Sequence, residues 1–542
     1  MAGLAVGAAV GVAGGYLGAP NKTTTAQPWL PAKWDYTTDV VVLGTGLSGL
    51  STAISAADAG ADVIVLEKMD QTHEGGNSRV SGNMFWAPKD VTQGVQYITA
   101  MEKGSLTDQN IITYMAQGLV DNLAKIQSFG GAYAPLNIGA APEWPVYPGS
   151  STVQTYGISQ DGGKTSLLGG GHLWQLYRDQ VTNRSSKITM MYSTPATGLV
   201  QNDDTKMILG VTATSNGGTI NIRANKGVVL ACGTFEFNQD MQRQYLPAWP
   251  VYGYGTPGNT GDGILMAEEA GAELWHMNVA NGGAPGVMIV PDYDYPLDFV
   301  EMPANGYIYV DKHGNRYMNE MGPNRHGWGQ TEFTCQFNGT EGDFLRIPTY
   351  AILDATALKA GPLVPATLLG GVMGWFNWYS GYKWSADNST EVAKGWIIQG
   401  TSLADLASKI AADPDNQNPM GQPTIDPTGA GLEATVNKWN GFVTAKVDTD
   451  FGRPSAGMAA IQTAPFYAVK LWPATVNYQG GPKRNINCQI VDKNGNPIPH
   501  FYSAGECGSF WGWTYNAGGN LGEDQFSGRT AGQNAAQETT WT

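Results

Sequence analysis

The segment from Asp39 to Glu67 constrains this chain more than any other. Asp39-Val40-Val41-Val42-Leu43 is an apolar, β-branched run of the length of one buried strand. It leads directly into Gly44-Thr45-Gly46-Leu47-Ser48-Gly49, and then into the small residues Leu50 to Gly60, which suit a closely packed helix. A second apolar strand, Asp62 to Leu66, ends at Glu67. Gly44 permits the tight turn, Gly46 lets the backbone approach a pyrophosphate, and Gly49 lets helix and strand pack closely. The helix amino terminus faces the negative charge. Glu67, 23 positions after Gly44, is placed to accept from ribose hydroxyls. The order strand, glycine turn, helix, strand, acid predicts a dinucleotide site of Rossmann type.

Composition removes several other classes. A chain of 542 residues has room for two to four domains and a large core, so it needs no disulfide framework. Charged residues are only 14% and glycines number 72, which describes a turn-rich globular protein and excludes disorder for its bulk. The formal net charge of −15 repels phosphate backbones, so no nucleic-acid partner is expected. Cys232, Cys335, Cys488 and Cys507 are widely spaced with no C-x-x-C pair, so no metal site is expected. Residues 1–20 are mostly Ala, Gly, Val and Leu, and the first charge is Lys22. That stretch resembles the core of an export signal, so residues 1–34 are expected to be a signal remnant and linker. The expected location is extracytoplasmic, in the periplasm or cell envelope, with the bacterial cytoplasm as the alternative. No other segment reads as an integral membrane span.

Beyond Glu67 come Gly75-Gly76-Asn77-Ser78-Arg79-Val80-Ser81-Gly82, then Lys226-Gly227-Val228-Val229-Leu230-Ala231-Cys232-Gly233-Thr234. Near the carboxy terminus stand Gly495 to Glu506, which includes Pro499-His500-Phe501-Tyr502-Ser503-Ala504-Gly505-Glu506, and Gly518-Gly519-Asn520-Leu521-Gly522. With these four separated motifs in order, the chain from Asp39 to Gly532 resembles the FAD-dependent fumarate reductase and 3-ketosteroid dehydrogenase superfamily. The resemblance implies an α/β fold with an α+β cap: a Rossmann-like FAD-binding domain built from both chain ends, residues 35–275 and 455–542, and an inserted cap or catalytic domain, 276–454. It implies non-covalent FAD on Gly44, Gly46, Gly49, Glu67, Gly76, Asn77, Ser78, Ser81, Gly82, Ala231, Gly233, Gly505, Glu506, Asn520 and Leu521. His73 lies closer to the Gly-Gly pair than the flavin-attaching histidine of succinate dehydrogenases and reads as a loop histidine. Ser78 and Ser81 also suit ordinary turn chemistry. The helix starting near Asn520 would aim amides at the flavin edge that gains negative charge on reduction.

The resemblance also implies hydride transfer between flavin and a carbon–carbon bond next to a carbonyl or carboxylate. The fumarate reductase branch clamps a carboxylate with an arginine and a histidine; this chain has Asn516 and Asn477 at those positions. The stretch Trp513 to Gly522 is more similar to ketosteroid dehydrogenases, where a tyrosine hydroxyl and a backbone amide hold a ring ketone. Tyr515 and the Gly519 amide occupy the corresponding places. In relatives the proton-handling residue follows an Asn-Glu pair; Asn319-Glu320 here is followed by Arg325 and His326. Arg325 would need a relay partner because its pKa exceeds ~12, whereas His326, ordinarily near ~6.5, suits either direction. Arg316 reads as a structural partner of Glu320. The aromatic run Trp375-Phe376-Asn377-Trp378-Tyr379 through Tyr382 and Trp384 is expected to line an opening for a flat hydrophobic substrate. Residues 201–214 read as a β-hairpin and 413–429 as a loop.

The expected function is an FAD-dependent oxidoreductase acting on a bond beside a ketone, in a 3-ketosteroid or similar cyclic enone, in either direction, with an external electron donor or acceptor. The alternative is a reductase of unsaturated carboxylates of fumarate, urocanate or acrylate type.

Overall fold

The computed structural model describes residues 29–136, 142–159, 168–297, 302–322, 326, 335–365 and 373–542. The apolar strand that opens the dinucleotide motif, Tyr36–Leu43, lies in the middle of an eight-stranded sheet, with Val40, Val41 and Val42 wholly buried. Burial on both faces is what a continuous β-branched run without polar alternation requires. It pairs in parallel with Val63–Leu66 on one side (Val40 opposite Val63) and with Gly218–Leu230 on the other (Val42 opposite Val229). Pro497–Ser503, from the far end of the chain, adds in parallel to Gly218–Leu230, with Tyr502 opposite Val229. One sheet thus contains strands from both chain ends.

Glycines set the helix packing over this sheet. The helix Leu47–Asp58 lies against the carboxy-terminal helix Gly519–Gln537. A Cβ on Gly528 would stand 2.5 Å from the Ser48 carbonyl oxygen, and one on Gly532 would stand 2.2 Å from that of Thr52. The two backbones can approach this closely only because these side chains are absent. Gly49 does the same toward the strand end: its Cβ would stand 2.1 Å from the Gly44 oxygen.

A second, six-stranded sheet is organised by the long strand Phe466–Tyr478. The first half of that strand pairs antiparallel with Thr349–Asp354 and Ile397–Gly400, and its second half with Ala280–Val287. Tyr252–Gly253 also joins it, so this sheet draws strands from both sides of the 276–454 segment. The Ala280–Val287 pairing puts Asn281 opposite Asn477 near the end of the strand. A three-stranded antiparallel sheet, Met84–Pro88, Val153–Ser159 and Ala132–Pro135, completes the wall.

Arg316 is bonded to Glu320 at 2.8 Å and to Asp448 at 2.8 Å, and Arg453 joins Glu320 at 3.1 Å, all with buried side chains. Arg316 is therefore structural, although residues 316–320 form no helix. Burial opposes ionisation of Asp448, but the Arg316 guanidinium holds its carboxyl down at about 2. The hairpin near residue 201 begins earlier than its sequence suggests: Ala196–Gln201 pairs with Ile208–Ser215. Residues 413–429 carry only the short turn Pro414–Asn416 and the isolated bridge of Gln417 with Pro423. Among the described residues no helix is long and apolar enough to cross a membrane. Residues 1–28, which hold the signal-like stretch, and Arg325 lie outside the described residues.

Candidate active site

Two contiguous cavities open at the carboxyl ends of the parallel strands. The first is a cleft of about 800 Å³ walled by the glycine turn, Glu67, Ala231 and Gly233. Gly44 takes φ +108, and a Cβ there would stand 2.3 Å from the Ala231 oxygen, so the turn tolerates no side chain. A Cβ on Gly46 would come no nearer than 3.5 Å to anything, and one on Gly76 no nearer than 3.9 Å; both positions therefore leave bare backbone facing open space. The amides of Gly46 and Ser48 donate to no protein acceptor among the described residues, which leaves them for an anionic ligand at the helix start.

Glu67 is buried, and burial raises its pKa against the hydrogen bonds it receives. It accepts from Thr45 N at 3.2 Å, from the Thr45 hydroxyl, and from Met69 N at 2.8 Å. The Thr45 hydroxyl in turn accepts from Gly75 N at 2.9 Å. Thr45, which the motif pattern leaves as a variable position, thus ties the first glycine turn to the second. Ser78 and Asn77 stand where the two cavities meet: Ser78 Oγ accepts from Leu47 N at 3.0 Å and donates to Asp524 at 3.3 Å. Asn77 Nδ2 donates to Glu506 at 3.5 Å and to Glu236 at 3.4 Å. Burial and the neighbouring Asp524 push Glu506 well up, and burial with Glu523 brings Asp524 up to about 7. Burial thus favours the protonated form of both acids, the form that can donate to a hydroxyl.

Gly49 and Gly505 are not among the residues lining either cavity; they act by packing. A Cβ on Gly505, at φ +65, would stand 2.2 Å from Asp524 Oδ1 and 2.6 Å from Ser48 Oγ. His73 is also away from both cavities, with Nδ1 3.0 Å from Asp70 and its ring 4.7 Å from that of Tyr379.

The second cavity, of about 1090 Å³, is lined by Ser81, Gly82, Asn520, Leu521, Tyr515 and His326 together with the apolar Val80, Met84, Met373 and Val476. Asn520 and Leu521 begin the carboxy-terminal helix, and their amides have no protein acceptor among the described residues. Gly519 differs from expectation: its amide donates to the Asn516 carbonyl at 2.8 Å, closing the turn, and it does not line the cavity, whereas Gly518 does. Tyr515 is buried, and its hydroxyl lies 3.4 Å from Asn477 Oδ1, which Asn281 Nδ2 also approaches at 3.2 Å. Among the described residues the Asn281 oxygen has no partner. Burial, Tyr254, Glu143 and Glu506 all raise the Tyr515 pKa well above its ordinary value, so the phenol keeps its proton.

The His326 ring lies 4.8 Å from that of Tyr515, and its Nδ1 is 2.6 Å from Glu143 Oε1. Among the described residues no Lys or Arg lines this cavity. Asn516 faces away from it: its Oδ1 accepts from Tyr97 OH at 3.1 Å and from Glu143 N at 2.9 Å. The aromatic run at 375–384 does not line the cavity either. Trp375 and Phe376 are core residues, Trp384 packs against Tyr382 and Trp396, and Arg79 lies over Trp378 at 5.8 Å. Among the described residues the aromatics that line the cavity are Tyr254 and Tyr515.

Glu143, Glu102 and Asn281 have no motif around them. Glu102 is buried, accepts from Gly512 N at 2.8 Å and Trp513 N at 3.2 Å, and so supports the loop that carries Tyr515. Burial pushes it up to about 8.

A parallel sheet with a glycine turn facing one cleft, and an apolar cavity carrying proton donors beside it, define a dinucleotide-dependent oxidoreductase. The chain belongs to the FAD binding domain family, whose sequence profile matches residues 39–521, and it is an FAD-dependent oxidoreductase. It is 26% identical to digoxin reductase of Eggerthella lenta over 96% of this chain and 91% of that protein. It is 25% identical to 3-oxosteroid 1-dehydrogenase of Mycolicibacterium smegmatis (89% and 94%), and 27% identical to urocanate reductase of Eggerthella lenta (95% and 77%). Its fold matches that of the 3-ketosteroid delta1-dehydrogenase from Sterolibacterium denitrificans in complex with 1,4-androstadiene-3,17-dione, with a TM-score of 0.74 at 21% identity over 92% of this chain and 99% of that one. The glycine-walled cleft and the free helix-start amides fit the cofactor: the turn at Gly44–Gly49 and Gly76 would hold its phosphates, Glu67 its ribose, and the start of Gly519–Gln537 its ring.

Proposed function

We propose that this protein reduces a carbon–carbon double bond conjugated to a ketone in a hydrophobic ring substrate, a 3-ketosteroid or similar cyclic enone. Bound FAD supplies the hydride chemistry, with electrons from an external donor. The observation that carries the reading is the side-by-side placement of Tyr515 and His326 in an apolar cavity that no Lys or Arg lines among the described residues.

The chemistry follows from that pairing. As hydride reaches the β-carbon the π bond shifts toward oxygen, and the neutral Tyr515 hydroxyl donates to the oxygen that gains charge. The α-carbon is two bonds from that oxygen, so its proton donor must stand next to the phenol. His326 does: its ring lies 4.8 Å from that of Tyr515, and its Nε2 meets no partner among the described residues. Protonation at the α-carbon restores the ketone. A carboxylate substrate is disfavoured by charge: among the described residues no Lys or Arg lines the cavity, and Glu143 cancels a protonated His326. Asn77, Ser78 and Asn520 orient the cofactor, and Glu102 holds the loop behind Tyr515. In this reading the eight-stranded sheet, with strands from both chain ends, carries the cofactor, and residues 276–454 together with Tyr252–Gly253 and Phe466–Tyr478, which join their sheet, cover it; FAD is non-covalent, and the protein works outside the cytoplasm.

Anaerobic stopped-flow of the reduced protein against cyclic enones, saturated ketones and fumarate tests this. Enones should reoxidise it and fumarate should not. Tyr515→Phe should keep its flavin and slow enone-driven reoxidation by about one to three orders of magnitude. Faster reoxidation by fumarate than by any enone, or wild-type rates in Tyr515→Phe, would sink the reading.

A further inference from the structure

Glu143 is buried, with its side chain 1% exposed, and it joins three parts of the chain that lie far apart in sequence. Its carboxylate grips one residue twice, accepting from the His326 backbone N at 2.8 Å through Oε2 and standing 2.6 Å from ring Nδ1 through Oε1. The same Oε1 accepts from Ala517 N at 3.1 Å, two residues after Tyr515. Its own amide donates to Asn516 Oδ1 at 2.9 Å, where Tyr97 OH donates at 3.1 Å. Asn516 therefore serves as a bracket for Glu143 and takes no part in the cavity wall.

We propose that Glu143 is a positioning residue for the proton step: it holds the His326 ring with Nε2 free toward the cavity and fastens that ring to the loop that carries Tyr515. This rests on the reading that His326 delivers the proton to the substrate carbon. A bond of this length to a carboxylate fixes the proton on Nδ1, so Nε2 is the atom whose proton changes. The double grip on ring and backbone prevents the ring from turning, and the Ala517 contact keeps donor and phenol in one rigid frame.

Burial by itself would lower the His326 pKa, but the Glu143 charge and hydrogen bond outweigh it and the net shift is upward. Among the described residues the other titratable groups at the cavity are Tyr515, which stays neutral, Tyr254 and Glu506. The imidazolium therefore persists to higher pH than usual, and the proton step weakens only as pH rises through that raised value. Without Glu143 the loss moves to lower pH.

The test is nitrogen-15 NMR of the holoenzyme labelled at histidine, with His326 picked out among the six histidines by its disappearance in His326→Gln. In the wild type its midpoint should lie above the ordinary 6.5. Glu143→Gln should lower that midpoint by about one unit or more, and Glu143→Asp should fall between. Enone-driven reoxidation in Glu143→Gln should slow about ten- to a hundredfold, most at high pH, with the flavin retained. The same midpoint in wild type and Glu143→Gln overturns the proposal. Should Glu143→Gln not fold, a wild-type midpoint at or below the ordinary value overturns it as well. If no enone reoxidises the wild type, the functional reading falls while the histidine titration still decides what Glu143 does.

Discussion

The two cavities meet at Asn77, Ser78 and Glu506 but are built on different principles. The dinucleotide cleft is opened by backbone: glycines at Gly44, Gly46 and Gly76, within the first motifs of the chain, remove side chains so that amides can reach a ligand, while Thr194, Ala231, Thr256 and Asp524 from other segments complete its walls. The substrate cavity is made of side chains from five or more separate segments, and its proton donors are aimed by residues, Glu143 and Glu102, that belong to no motif. Backbone recognition of phosphate needs a conformation, which local sequence encodes. Recognition of a ketone and delivery of a proton need two side chains at one point, which only tertiary packing provides.

If that contrast is right, the largest effect comes from a side chain placed on the backbone wall. Gly44→Val puts a Cβ within 2.3 Å of the Ala231 oxygen at a φ that such a residue avoids. Flavin retention, read as absorbance per chain after gel filtration, should fall on the order of a hundredfold. Stoichiometric flavin would break the comparison.

A smaller effect sharpens it on the other side. Burial raises Glu102 from 4.5 to about 8, so between those values the folded protein keeps a proton that the unfolded chain has released. Stability then falls as pH rises through this window, by on the order of a few kcal/mol. Glu102→Gln keeps an acceptor for the Gly512 and Trp513 amides and cannot ionise. Urea unfolding should show the wild type losing stability relative to Glu102→Gln between pH 5 and pH 8.5; parallel profiles would show that this carboxyl does not titrate there.

The smallest effect concerns the aromatic run. Because Trp378 packs near Arg79 and Gly171 and does not line the cavity, Trp378→Ala should change the enone KM by no more than about twofold. A large rise in KM would return this run to the substrate site.

The parallel sheet, the glycine turn and Glu67 were legible because each is a local pattern with a steric cause. Tyr515 and His326 were legible as candidates by resemblance, since each follows a recognisable string. The Gly519 amide was misread because whether it is free depends on the turn it closes onto Asn516, and the aromatic run was misread because composition does not say which way a ring faces. Glu143 and Glu102 carried no signal: a lone acid in a Pro-Gly stretch or after a helix looks like any surface carboxylate until its burial is known.

By itself the sequence determined a Rossmann-type unit at one end of the chain; its family resemblance marked a second set of flavin signatures at the other, and asparagines, Asn477 and Asn516, where the carboxylate-clamping branch has cations. Tertiary structure decided that the two ends share one sheet, that Asn516 turns from the cavity to brace Glu143, and that Glu143 reaches across 183 positions to His326. The reason is range. Turn and helix geometry follow from neighbours a few bonds apart, whereas the protonation and aim of a buried imidazole follow from whichever charge the fold brings within a hydrogen bond of it.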